Sequence, residues 1–209
     1  MATIISNECN ANDTCCGEDF YADFASVGES APNFTGAAFV NGEIKDISLA
    51  DYKGKWVVLF FYPADFTFVC PTELGGLSDK YKELQDMGAE VIGCSTDTEW
   101  AHKVWADISP VIAKVQYPML ADPSGDVCKA YGVYQENGLA QRGRFIIDPD
   151  GVLKSMEITD APLGRNENEI IRQVKALDFM RKNPSQACPL SWSTTGESLT
   201  PGIELAGKI

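Results

Sequence analysis

The stretch WVVLFFYPADFTFVCPTE, residues 56–73, decides the fold. Trp56 to Tyr62 is continuously apolar and rich in β-branched and aromatic side chains. Such a run suits a strand at the centre of a sheet covered on both faces. Thr72 to Gly88 then has helical spacing: Leu74, Leu77, Tyr81 and Leu84 recur at three- and four-residue steps, and Gly88 ends the run. The loop between strand and helix carries Pro63, Thr67 and Cys70. In α/β sheets, that edge is where ligands and chemistry collect.

Downstream, Glu90 to Ser95 (EVIGCS) reads as a second buried strand, and Thr98 to Ser109 as a helix with Trp100, Val104, Trp105 and Ile108 periodic. Pro118 to Leu120 predicts a short strand, followed by a short helix holding Cys128. Arg144 to Ile147 and Val152 to Ile158 form a hairpin across the turn sequence Asp148-Pro-Asp-Gly151. Glu167 to Met180 is a strong helix with Ile170, Ile171, Val174, Leu177 and Met180 along one face. Upstream, Ala38 to Ile44 predicts a hairpin around Asn41-Gly42.

Parallel order at the start and an antiparallel hairpin at the end give one α/β domain with a mixed sheet flanked by helices, a thioredoxin-like architecture. The expected organisation is an irregular N-terminal arm over residues 1–26, the domain over 27–183, and an extended C-terminal tail over 184–209.

The 209 residues carry a formal net charge of -13. That disfavours nucleic acid and anionic membrane surfaces as partners, since both need clustered Lys and Arg. The longest apolar run is too short to span a bilayer. Residues 1–6 lack the basic region and apolar core of a secretory signal, so a cytoplasmic location is expected. Seven cysteines, an odd count without a signal, do not read as a secreted disulfide framework. Cys94 and Cys128 read as packing residues. Cys9, Cys15 and Cys16 form no recognised zinc spacing, and read as incidental thiols, an extra disulfide or a reductant contact. His102, the single histidine, reads as a surface or packing residue.

Cys70 stands apart. Pro71 fits a first helical turn, so the cysteine falls at or beside a helix N-terminus, where free N–H groups and the dipole favour an anionic sulfur. Ionisation of an ordinary thiol multiplies its thiolate only about 30-fold at neutral pH, so such a site must also orient and polarise its substrate. Thr67, three residues earlier, could bring a hydroxyl beside the sulfur, and Pro63 would shield the pocket. By spacing alone, a buried structural cysteine remains an equal reading.

Pro63-x-x-x-Thr67-x-x-Cys70 resembles the peroxiredoxin signature. The resemblance continues in Ser95-Thr-Asp-Thr98 with His102-Lys-x-Trp105, in Arg142-Gly-Arg-Phe-Ile-Ile-Asp148, in Pro162-Leu-Gly-Arg165 and in Ala187-Cys-Pro-Leu-Ser-Trp192. The closing Leu205-Ala-Gly-Lys-Ile209 is similar to the alkyl hydroperoxide reductase branch of the typical two-cysteine class, and the whole match covers about residues 27–209. It implies a thiol-dependent peroxidase with no metal, haem or flavin cofactor, acting on hydrogen peroxide and organic hydroperoxides. Cys70 would be the peroxidatic cysteine, with Thr67 and Pro63 shaping its pocket and Arg142 as the active-site arginine. Glu73 and Arg165 would support the site. Cys188 would resolve the Cys70 sulfenic acid as a disulfide between two chains of a homodimer, and rings of five dimers are frequent among relatives. Electrons would come from a disulfide reductase, either a flavoprotein or a thioredoxin-type protein. The chain lacks the Gly-Gly-Leu-Gly insertion and C-terminal Tyr-Phe helix of overoxidation-sensitive relatives, which implies resistance to excess peroxide. A general thiol–disulfide exchanger is the rival enzyme, but it would usually carry Cys-x-x-Cys, and Glu73 holds that position. A chaperone or redox sensor is the non-enzymatic rival.

Overall fold

A computed structural model describes residues 3–4 and 24–208. Cys9, Cys15 and Cys16, and most of the arm read as irregular, lie outside the described residues; Thr3–Ile4 of that arm forms a strand. The chain divides into two compact units, Met1–Arg165 and Asn166–Ile209.

Among the described residues, the first unit is built on eight strands: β1 Thr3–Ile4, β2 Phe34–Val40, β3 Glu43–Ser48, β4 Trp56–Phe61, β5 Ala89–Ser95, β6 Met119–Ala121, β7 Arg142–Ile147 and β8 Leu153–Thr159. Their order is β1-β2-β6-β5-β4-β7-β8, with β3 paired to β2. The β4, β5 and β6 strands run parallel and the other pairings are antiparallel. Four helices join them: α1 Cys70–Asp79, α2 Tyr81–Asp86, α3 Glu99–Ile108 and α4 Asp126–Ala130. The expected mixed α/β sheet is therefore present. No helix among the described residues is long and apolar enough to cross a membrane.

All six residues of β4 are buried, as an uninterrupted apolar run requires. Phe61 at its end packs edge-on against Phe145 of β7, ring centroids 5.6 Å apart, and Tyr131 closes the cluster at 5.4 and 4.9 Å. Each such pair contributes about 0.5–1.5 kcal/mol beyond its buried area. The β2–β3 hairpin turns on Asn41 and Gly42, both left-handed at φ 49° and 89°. A two-residue turn of that hand matches the twist of the strands it joins, and Asn-Gly tolerates it at least cost.

Two readings change. The helix expected over 72–88 starts at Cys70 and breaks at Lys80, where φ is -101° and ψ -3°. The apolar spacing runs through the break because Leu77, Tyr81 and Leu84 all stay buried, so periodicity alone cannot reveal it. On α3, Trp100, Val104 and Ile108 are exposed, while His102 and Trp105 are buried. The apolar stripe at four-residue steps thus lies outside, and the inner face carries the single histidine.

In the second unit, α5 Glu167–Lys182 is capped by the Asn166 side chain, which accepts from the Asn168 and Glu169 amides. The following segment folds back through a bridge between Ala187 and Leu199. Trp192 is buried, its ring tilted against that of Phe179 with centroids 5.0 Å apart, and its carbonyl accepts from Arg172.

Candidate active site

Cys70 is the first residue of α1, with Pro71 in the first turn, and is completely buried. The N-cap, Val69, supplies no side-chain cap. The amides of Thr72 and Glu73 reach back to the Val69 carbonyl.

The loop that delivers the cysteine is tied down at Asp65. Tyr62 donates its hydroxyl to Asp65 Oδ1 at 2.9 Å, His102 Nδ1 lies 2.8 Å from Asp65 Oδ2, and His102 Nε2 lies 3.3 Å from the Leu120 carbonyl. The Asp65 amide donates to Asp97, which also accepts from Ser95. Burial pushes the Asp65 carboxyl up, and the His102 hydrogen bond opposes that shift. His102 is therefore an interior polar anchor and not a surface residue. Nothing in its local sequence signals this, because its partners come from the loop after β4 and from β6. Phe66, next along, is held left-handed at φ 56° with its ring 5.9 Å from that of Trp105. A non-glycine residue there costs about 1–2 kcal/mol, which the anchors on both sides must offset.

Pro63 is buried beside this anchor. Thr67 is half-buried, and its hydroxyl donates to the Ala64 carbonyl at 2.8 Å. Its proton is thus committed to the loop, which leaves its oxygen lone pairs for other donors.

Arg142 opens β7 and is buried, as is Glu73 on α1. One guanidinium nitrogen of Arg142, Nη1, donates to Cys70 Sγ at 3.4 Å and to Glu73 Oε2 at 2.6 Å. Its Nε donates to the Ala161 carbonyl at 2.6 Å. Glu73 also accepts from Arg165 through the backbone amide at 2.8 Å, Nε at 2.9 Å and Nη2 at 3.0 Å. Arg165 Nη1 donates to the Gly143 carbonyl, and its guanidinium lies 3.3 Å over the Phe60 ring. The structure thus brings Cys70, Glu73, Arg142 and Arg165 into one network. Sequence reading missed the carbonyls of Ala161 and Gly143, which set the orientation of the two guanidinium groups. Chemically, the network can hold a sulfur anion and offer N–H groups to an electron-rich atom approaching it.

Cys188 belongs to the second unit. It is half-buried, with Sγ 3.9 Å from the Ala176 carbonyl. Burial pushes its thiol up, and the charge of Arg172 opposes the shift.

A buried, arginine-backed cysteine on a thioredoxin-like frame is built for sulfur chemistry, which sets the class: a thiol-based oxidoreductase. Residues 27–156 match the AhpC/TSA family. The chain is 46% identical over 184 residues to "Alkyl hydroperoxide reductase C" of Bacillus subtilis (strain 168), covering 88% of this chain and 98% of that one. It is 42% identical over 177 residues to the protein of the same name from Escherichia coli (strain K12), covering 84% and 95%. The crystal structure of Enterococcus faecalis AhpC superposes with a TM-score of 0.77 at 42% identity, over 79% of this chain and 100% of that one. The reduced Plasmodium vivax 2-Cys peroxiredoxin gives 0.82 at 29% identity, over 85% and 94%. The chain belongs to the AhpC/TSA family and is a thiol-dependent peroxidase of the two-cysteine peroxiredoxin kind.

Proposed function

We propose that Cys70 is the peroxidatic nucleophile and that hydrogen peroxide and alkyl hydroperoxides are its substrates. The observation that carries this reading is the Arg142 Nη1–H aimed at the buried Cys70 sulfur from 3.4 Å. The Cys70 thiolate attacks the terminal peroxide oxygen and the O–O bond breaks. The sulfur becomes a sulfenic acid, and the leaving oxygen takes a proton and departs as water or alcohol. Arg142 stabilises the charge on both oxygens as the bond lengthens. Glu73 and Arg165 hold Arg142 in place, and Thr67 and Pro63 close the pocket.

Cys188 of a partner chain then attacks the sulfenic acid, releasing water and forming the disulfide. A disulfide needs Cα atoms within about 7 Å, and a fully buried Cys70 cannot meet another chain without opening. The first turn of α1 supports that opening. It has no side-chain cap, and Gly75 and Gly76 follow within the helix. Each glycine costs about 1 kcal/mol of helix stability.

The dimer is supported by β8, an end strand of the sheet with Met156 and Ile158 exposed. A ring of dimers is supported by the exposed stripe of Trp100, Val104 and Ile108 together with exposed Phe66 and Phe68. A disulfide reductase, flavoprotein or thioredoxin-type, returns the electrons. The cytoplasm is the compartment that keeps thiols such as Cys70, Cys94, Cys128 and Cys188 free.

One equivalent of peroxide followed by a non-reducing gel tests the whole scheme. A dimer-sized band appears in the native chain and is absent from both Cys70→Ser and Cys188→Ser. A band that persists in either variant refutes the pairing.

A further inference from the structure

Away from Cys70, the core holds a second sulfur cluster. Cys94 Sγ, Cys128 Sγ and an Asp122 carboxylate oxygen lie within 4.8 Å of one another, and all three residues are fully buried. Cys94 sits on β5 between Phe61 of β4 and Leu120 of β6. Cys128 lies on α4, and its amide donates to Asp122 Oδ2 at 2.8 Å. The Asp122 carboxylate thus lies within reach of both sulfurs.

We propose that Cys94 and Cys128 are a second redox pair, closing an intramolecular disulfide under excess hydroperoxide with Asp122 as proton acceptor. The step balances. The Cys128 sulfur attacks the peroxide and its proton passes to Asp122. The O–O bond breaks and Asp122 hands the proton to the departing oxygen, leaving a Cys128 sulfenic acid and an alcohol, or water from hydrogen peroxide. Cys94 then attacks that sulfur, an S–S bond forms and water leaves. Two electrons pass from the two thiols to the peroxide, and Asp122 ends ionised as it began.

Charge favours a disulfide over a bound metal ion. Two thiolates and a carboxylate around a divalent ion leave a net negative charge in an apolar core, which is heavily penalised. A disulfide is neutral there. Access comes through α4, which has five residues and lies between left-handed Gly125 and Gly132 at φ 70° and 69°. Local opening of this one short helix exposes both sulfurs. Burial pushes the Cys94 thiol well up. The hydrogen bond from Cys94 pulls the Cys128 thiol down, but burial and the Asp122 charge outweigh it. Both therefore rest as thiols, which keeps the pair silent until peroxide is abundant. Burial also pushes the Asp122 carboxyl up, which suits it to take a proton.

The test is proteolysis and mass spectrometry without reduction, after excess hydrogen peroxide and thiol alkylation of the folded chain. A peptide pair linking Cys94 to Cys128 is expected in the native chain and also in the Cys70→Ser/Cys188→Ser variant. The double variant separates this pair from the role given to Cys70. The link is lost in Cys94→Ala and Cys128→Ala, and forms about tenfold more slowly in Asp122→Asn. The inference is overturned if both cysteines are recovered unlinked, or each as a sulfinic acid. It is equally overturned if purified native chain carries stoichiometric zinc that Cys94→Ala lacks. An unchanged rate in Asp122→Asn overturns the proton-acceptor role.

Discussion

Replacing Glu73 by glutamine removes one formal charge and almost no volume, so it isolates what that charge does. Glu73 accepts four hydrogen bonds from two arginines: Nη1 of Arg142 at 2.6 Å, and the amide, Nε and Nη2 of Arg165 at 2.8, 2.9 and 3.0 Å. The side chains of Glu73, Arg142 and Arg165 are 3%, 4% and 1% exposed, so solvent screens little of this network. A glutamine can present one oxygen, and its NH₂ must then face a guanidinium N–H. Two buried cations lose their shared counter-charge, which costs about 3–5 kcal/mol. For a chain of this size that lowers the thermal midpoint by roughly 10 °C. Arg142 also loses the partner that aims Nη1 at Cys70, and losing one aligned donor at a reacting centre costs about 10²–10³ in rate. Stopped-flow tryptophan fluorescence of the reduced enzyme mixed with peroxide reads the rate, and thermal melting reads the stability. A midpoint within about 2 °C of wild type and a rate within about threefold would refute the reasoning. The carboxylate would then be a bystander.

Arg165→Lys keeps the charge but loses the two-pronged contact with Glu73 and the hold on Gly143. Peroxide consumption should fall by about tenfold with the fold retained by circular dichroism. A methyl group at Gly75 would meet Val111 Cγ1 at 2.6 Å. Gly75→Ala should therefore lower the denaturant midpoint, by about 1–3 kcal/mol of stability, although alanine is the better helix former. Burial pushes the Glu90 carboxyl up, but hydrogen bonds from Lys55 and Tyr81 outweigh it and hold it below the usual value of 4.5. A depressed carboxyl contributes stability above that pH and loses it as the pH falls. Urea titrations should show native chain more stable than Glu90→Gln at neutral pH, with the gap closing as the pH drops below the usual carboxylate range. If the proposed ring of dimers forms through the α3 stripe, Val104→Asp should leave single-turnover peroxide reduction intact while analytical ultracentrifugation shows dimers in place of rings.

Where neighbours in sequence are also neighbours in space, the chain could be read directly. The apolar run of β4, the Asn41-Gly42 turn and Pro71 at the head of α1 each state a local constraint, and each holds in three dimensions. The place of Cys70 at the head of a helix was visible for the same reason, since strand, loop and helix start are continuous. The rest needed the tertiary structure. Glu73 meets arginines 69 and 92 positions away only because β7 lies beside β4 in the sheet. The outward stripe on α3 was not legible, and for His102 the sequence left surface and packing both open. Periodicity measures how apolar a helix face is, whereas burial depends on which face the sheet happens to cover. The pairing of Cys94 with Cys128 has the same origin: two unremarkable thiols, one on a strand and one on a short helix, acquire a shared chemistry only when packing sets their sulfurs side by side.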